Sequence, residues 1–186
     1  MTLTILESNM LFGPFNQDHC FYLEKSELYQ KLQHGVQIAE FLLIKIQQQV
    51  QNVWIIEAKS SSPRPQTQPA FDAFIAEIAD KMRNALLLTL ALKLGRHGAD
   101  AQMLLPADFQ TLDLSTTRFK FILVIKNHLD AWLVPLQEAL NRCLWALNKS
   151  LGSLSPLPVV VLNETLARQH GLIGQEETPS NAWTQS

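Results

Sequence analysis

The chain has 186 residues, of which 47% are hydrophobic and 17% charged, and its formal net charge is -2. That length suits one domain, and that much apolar material builds a core and excludes global disorder. The charge balance excludes the strongly basic composition common among nucleic-acid binders and leaves room only for a local basic surface.

In chain order, residues 1–20 read as irregular, because Gly13-Pro14 interrupts a stretch of mixed polarity. The start, Met1-Thr2-Leu3-Thr4-Ile5-Leu6-Glu7, has no basic region followed by a long apolar one, so no secretory signal is expected. His19 to Leu32 divides between a strand at Phe21-Tyr22-Leu23 and a helical turn at Leu28-Tyr29-Gln30-Lys31-Leu32, and Gly35 breaks what precedes it. Glu40 to Ile46 and Val53 to Lys59 are two short apolar runs joined by the polar Gln47-Gln48-Gln49-Val50-Gln51-Asn52. The second run is apolar at both parities and rich in β-branched and aromatic residues, the mark of a central strand buried on both faces. Together they read as an antiparallel hairpin. A helix from Val36 to Gln51 is the competing reading, since Ile38, Leu42, Ile46 and Val50 recur every four residues.

Ser60 to Pro69 is a loop on its serines and prolines. Phe71, Phe74, Ile75, Ile78, Met82, Ala85 and Leu86 fall at helical steps, so a helix is expected from Phe71 to Leu94, stopped by Gly95. Its second half, Leu86 to Leu92, is apolar all round and is expected to be buried. Ala85 to Leu94 is about half the roughly 20 residues needed to span a bilayer, so no membrane span and a cytoplasmic protein are expected. A long connection runs from His97 to Thr117, followed by a strand at Arg118 to Lys126. Asp130 is placed to cap a helix running to about Leu151, and Gly152 closes it. Pro158 to Leu162 is another buried strand, and Asn163 starts a short helix ended by Gly171. The expected fold is one α/β domain over residues 1–172: a mixed central sheet with an antiparallel hairpin, later right-handed parallel crossovers and helices on both faces, with a polar, flexible tail over 173–186.

Glu57 and Lys59 stand at i and i+2 of the apolar strand, so they share a face. Charges in such a strand cost several kcal/mol unless paired or solvated. They lie at its carboxyl end beside a loop, where α/β sheets place ligand crevices. If the hairpin is symmetric about its Gln-rich turn, Ile44 faces Val53, Leu42 faces Ile55 and Glu40 faces Glu57. Two opposed carboxylates repel unless a cation lies between them, and Mg²⁺ typically takes one or two carboxylates, some waters and phosphate oxygens.

An acidic residue opening one strand, a short turn, and Glu57-Ala58-Lys59 closing the next resemble the signature of the PD-(D/E)XK, or restriction-endonuclease-like, nuclease superfamily. The resemblance spans roughly residues 20–126. It implies Mg²⁺- or Mn²⁺-dependent hydrolysis of phosphodiester bonds in DNA or RNA. It implies a metal held at Glu40, Glu57 and Ala58, with Lys59 orienting the nucleophile. Glu40 replaces the more usual Asp, and Ala39 stands where Pro is common. The superfamily often carries one more acid on the preceding element, for which Glu24 and Glu27 both qualify.

Several alternatives stay open on sequence. Glu57 and Lys59 can form a structural ion pair. The chain can be a nuclease fold without catalysis, a module that binds nucleic acid or a protein partner, or an unrelated α/β protein. Lys81, Arg83, Lys93 and Arg96, with Arg64 beside the strand end, can contact a nucleic-acid backbone or lie on solvated helix edges. The apolar fraction is compatible with a homodimer. Cys20 and Cys143 show no zinc or disulfide spacing, and the five histidines show no metal spacing. Trp54 and Trp132 read as packing residues. No phosphate-cradling glycine loop and no Gly-x-Ser-x-Gly elbow occurs.

Overall fold

The computed structural model describes residues 1–32, 34–152 and 159–174. In chain order the elements are β1 (Thr2–Glu7), β2 (Met10–Asn16), β3 (Cys20–Phe21), α1 (Glu27–Leu32), β4 (Phe41–Gln47), β5 (Val50–Lys59) and α2 (Ala70–Lys93). Then follow α3 (Ala99–Gln102), α4 (Ala107–Thr111), β6 (Arg118–Ile125), α5 (Asp130–Cys143), α6 (Trp145–Ser150), β7 (Val159–Asn163) and α7 (Glu164–Gln169).

Five strands form a mixed sheet in the order β3-β4-β5-β6-β7, antiparallel up to β5 and parallel from β5 to β7. The apolar run of β5 lies in the middle, paired on both edges and buried from Asn52 to Ala58. The hairpin forms in the symmetric register, with Leu42 opposite Ile55 and Ile44 opposite Val53, and the competing helix over 36–51 does not form. Tertiary burial of alternating faces overrides the four-residue recurrence there. The turn is shorter than its polar sequence implies. Gln48 and Gln49 alone make it, at φ of 50° and 64°. Two-residue hairpin loops demand this left-handed backbone, which costs a non-glycine residue about 1 kcal/mol.

Alternation then sorts the side chains. Leu42, Ile44, Val53, Ile55, Phe121, Leu123, Ile125, Val159 and Val161 face one core with Phe71, Ile75, Ile78 and Met82 of α2 and Leu136 and Leu140 of α5. Both crossover helices therefore pack on the same face. Phe41, Leu43, Trp54, Ile56, Ala58, Ile122 and Val124 face a second core. Two further strands, β1 and β2, and the short α7 close that face, with Ile5, Met10, Phe12, Phe15 and Ala167.

The N-terminal segment corrects the sequence reading. It is an antiparallel hairpin, and Gly13-Pro14 sits at a register shift, where Leu3 pairs with Phe15 but Ile5 with Phe12. Gly13 has φ of 101°, and a Cβ there would meet the Leu3 carbonyl oxygen at 2.7 Å. The glycine and proline mark a bulge inside a strand and not the absence of one.

Three smaller expectations also change. The second half of α2 is not wholly buried, for Leu87 is 52% exposed. Asp130 does not cap α5. Its carboxylate accepts a 2.6 Å hydrogen bond from Asn163, and the helix breaks at Leu144 before α6. Ile173, assigned by sequence to the tail, is buried and bridges to Phe12. Pro158 and the remainder of that tail, 175–186, lie outside the described residues. Asn163 does cap α7, accepting from the Leu166 amide at 3.0 Å. Among the described residues no helix is long and apolar enough to cross a membrane.

Candidate functional site

Charges concentrate where β5 ends and β4 begins. Glu57 and Lys59 leave β5 on the face covered by α2, following Val53 and Ile55. Glu40 precedes β4 by one residue. It stands one register step beyond the Phe41–Ile56 pair, opposite Glu57. Glu57 is 0% exposed and Glu40 6%.

Helix α2 supplies the counter-charges. Glu77 and Lys81 are one turn apart, on the flank that passes the end of β5. Lys81 Nζ lies 2.8 Å from Glu57 Oε1 and 4.0 Å from Glu40 Oε1. Lys59 Nζ lies 3.3 Å from the same Glu57 oxygen and 2.8 Å from Glu77 Oε1. Sequence alone put Lys81 among the residues for a nucleic-acid backbone. The structure turns it inward, onto the paired carboxylates.

A second set of acids meets Glu40. Glu7 ends β1 and Glu24 follows β3, and one oxygen of each carboxylate of Glu7, Glu24 and Glu40 lies within 4.8 Å of the others. The Tyr22 hydroxyl donates to Glu7. The Glu24 amide donates to the Glu40 carbonyl at 3.1 Å, which ties the two segments together. Of the two candidates for the additional acid, Glu24 joins the cluster, whereas Glu27 is exposed on α1.

Burial dominates the electrostatics. Burial, then a hydrogen bond with Glu24 and the charge of Glu57, push the Glu40 carboxyl up to about 9. Burial also raises Glu57, against the pull of Lys81 and Lys59. Burial works to lower Lys81, but Glu57, Glu40 and Glu24 outweigh it and hold the ammonium above its ordinary value. The Tyr22 hydroxyl is raised by burial and by its bond to Glu7.

Of the six buried side-chain atoms without a hydrogen-bond partner among the described residues, two belong to this site. Glu40 Oε2 and Glu57 Oε2 are both buried and have no hydrogen-bond partner. Buried polar atoms rarely go without one, because each costs about 1–3 kcal/mol. The two carboxylates offer oxygen donors, which suit hard divalent cations such as Mg²⁺ and Mn²⁺, while the Lys81 and Lys59 ammonium groups supply the counter-charge to Glu57. The residues present therefore fit a metal at Glu40 and Glu57. The Ala58 carbonyl, by contrast, accepts a 2.9 Å hydrogen bond from Ser8 Oγ, and the Ala58 side chain faces the opposite core.

The other candidate cations lie outside this cluster. Arg64 sits in the loop after β5, its guanidinium 4.8 Å above the Trp132 ring. Arg83 pairs with Asp80 on the surface of α2. Sequence reasoning missed Glu7, Tyr22 and Glu77. For Glu7 a signal existed: Leu3, Ile5 and Glu7 alternate ahead of the Ser8-Asn9 turn, as a strand does. Comparison of the chain with family models, with curated proteins and with solved structures finds no match.

Proposed function

We propose that the chain is a metal-dependent nuclease with a restriction-endonuclease-like fold, hydrolysing phosphodiester bonds in DNA or RNA. One observation carries this reading. Two buried carboxylates, Glu40 and Glu57, oppose each other across a hairpin, each with an unpartnered oxygen, and Lys59 leaves the same strand face two residues on. A carboxylate pair, a lysine at that spacing and a position at the strand end beside a loop are what phosphodiester hydrolysis needs in one place.

Glu40 and Glu57 would hold a Mg²⁺ or Mn²⁺ ion, which supplies charge stabilisation at the phosphoryl oxygens and lowers the pKa of an attacking water. Lys59, with its side chain 24% exposed, reaches solvent at the site and orients that water or a phosphate oxygen. Glu77 fixes the Lys59 ammonium from the helix side at 2.8 Å. Arg64, exposed beside the strand end, is placed to meet the nucleic-acid backbone, in a contact that weakens as salt rises.

The second reading, a module of this fold that binds without cleaving, has its own observation. Lys81 and Lys59 already flank the fully buried Glu57, and a closed ion network can be purely structural.

The test is cleavage of pooled single- and double-stranded DNA and RNA by the purified chain with Mg²⁺ or Mn²⁺ at low salt. The nuclease reading expects cleavage of at least one pool, abolished by a chelator and restored by excess metal. Binding to a pool without cleavage in either metal favours the module, and neither binding nor cleavage removes the nuclease and the nucleic-acid-binding form of the module.

A further inference from the structure

Lys81 sits where the opposed carboxylates need a cation. Its Nζ is 2.8 Å from Glu57 Oε1 and 4.0 Å from Glu40 Oε1, and its side chain is 13% exposed. Lys59 reaches the same Glu57 oxygen at 3.3 Å, but it is drawn off to Glu77 at 2.8 Å and makes no ion pair with Glu40 among the described residues. Lys81 is the ammonium that pairs with both carboxylates.

Its fit is incomplete. An ammonium carries three donors, yet 4.0 Å is too long for a hydrogen bond to Glu40. The Oε2 atoms of Glu40 and Glu57 are buried and receive no hydrogen bond. An ion pair kept only for stability is expected to satisfy those oxygens, because a buried charge is costly unless its lone pairs are filled. The lysine is also free to leave. Its charge rides on a flexible four-carbon stem, so α2 need not shift when the ammonium moves. Glu77, one turn back on α2 with a side chain 40% exposed, lies within reach as its next partner.

We propose that Lys81 is a placeholder for the metal: its ammonium holds the space between Glu40 and Glu57 and is displaced when a divalent cation binds there. The proposal rests on the reading of Glu40 and Glu57 as a metal pair and adds to it a device that sets the affinity of that pair. An ion bound through the free Oε2 atoms, with Lys81 still seated, would lie against a like charge. Glu57 is 0% exposed and Glu40 6%, so water and salt screen that repulsion little. Displacement of the ammonium removes it. Lys81 therefore compensates the carboxylates when divalent metal is scarce and yields to the ion when it is abundant.

The experiment is a calorimetric titration of the full chain with Mn²⁺ alone, comparing wild type, Lys81→Met and Lys59→Met. Lys81→Met is expected to bind Mn²⁺ at least about tenfold more tightly. A seated lysine leaves the open form about a tenth of the population or less, and the apparent affinity falls by that fraction. Lys59→Met removes the same charge beside Glu57 without vacating the space between the two carboxylates, so its gain is expected to be smaller. The second measurement needs no variant. Brief amine labelling of wild type, read residue by residue by mass spectrometry, is expected to increase at Lys81 when chelator is replaced by saturating Mn²⁺.

Unchanged or weaker Mn²⁺ binding by Lys81→Met would overturn the proposal, and so would an equal gain in Lys59→Met, which would be an effect of net charge. Labelling of Lys81 that stays the same or falls with Mn²⁺ overturns it as well, and decides the question if Lys81→Met does not fold. If neither wild type nor Lys81→Met binds Mn²⁺, this proposal and the nuclease reading fall together. If wild type binds and cleaves while Lys81→Met binds no more tightly, this proposal falls alone. Tighter binding by Lys81→Met, with Lys81 released by Mn²⁺ in a chain that cleaves nothing, leaves the placeholder standing without the nuclease.

Discussion

Glu57→Gln is expected to fold and to lose nearly all metal-dependent cleavage, by at least about a hundredfold, the scale set by removing one group that holds charge or moves a proton in the transition state. The amide preserves the shape of a side chain that is 0% exposed and still offers Lys81 an oxygen. It removes the negative charge that a divalent cation needs. Lys59→Met is expected to fall by a similar factor, because it keeps the aliphatic stem and deletes only the ammonium. The loss should appear in kcat more than in KM, since neither residue touches the parts of a nucleic acid remote from the bond that breaks. Circular dichroism and melting curves separate this from misfolding. Wild-type rates in both variants remove Glu57 and Lys59 from the chemistry.

Lys81→Met carries the largest expected effect on stability, about 3 kcal/mol in the absence of divalent metal, because deleting one partner strands a buried charge. Lys81 is the nearest cation to Glu57 at 2.8 Å, and it also faces Glu40 at 4.0 Å. Lys59, at 3.3 Å and shared with Glu77, offsets only part of the loss. The double variant Lys81→Met/Glu57→Gln is expected to recover most of the stability, since the stranded charge is gone. Urea denaturation in chelator measures both. A Lys81→Met protein as stable as wild type, or a double variant no better than the single, contradicts the assigned role. Saturating Mn²⁺ should narrow the gap, because an ion that binds only the folded state stabilises it by mass action.

The sequence made the hairpin legible because β5 is apolar at both parities and the register is fixed by burial on both faces. A one-residue slip would turn Glu40 away from Glu57 and send every core side chain to the wrong side. The parallel half of the sheet was equally readable from its alternation of strand and helix. The N-terminal hairpin was not, because a bulge at Gly13-Pro14 looks like a breaker when its partner Leu3 cannot be seen. With β1 hidden, Glu7 was hidden too. Lys81 and Glu77 were legible as residues of a helix but not in their role. Which flank of α2 passes the end of β5 is set by how the helix docks on the sheet, and that is a tertiary fact. The same holds for Glu24 against Glu27, which spacing alone cannot rank.

Diffraction from crystals grown in Mn²⁺, with data collected at the manganese absorption edge, tests the metal centre most directly. The account predicts an anomalous peak about 2.1 Å from a carboxylate oxygen of each of Glu40 and Glu57, with Lys81 moved off the 2.8 Å contact it holds with Glu57. No peak at that pair under saturating Mn²⁺, with Lys81 still seated on Glu57, would contradict it.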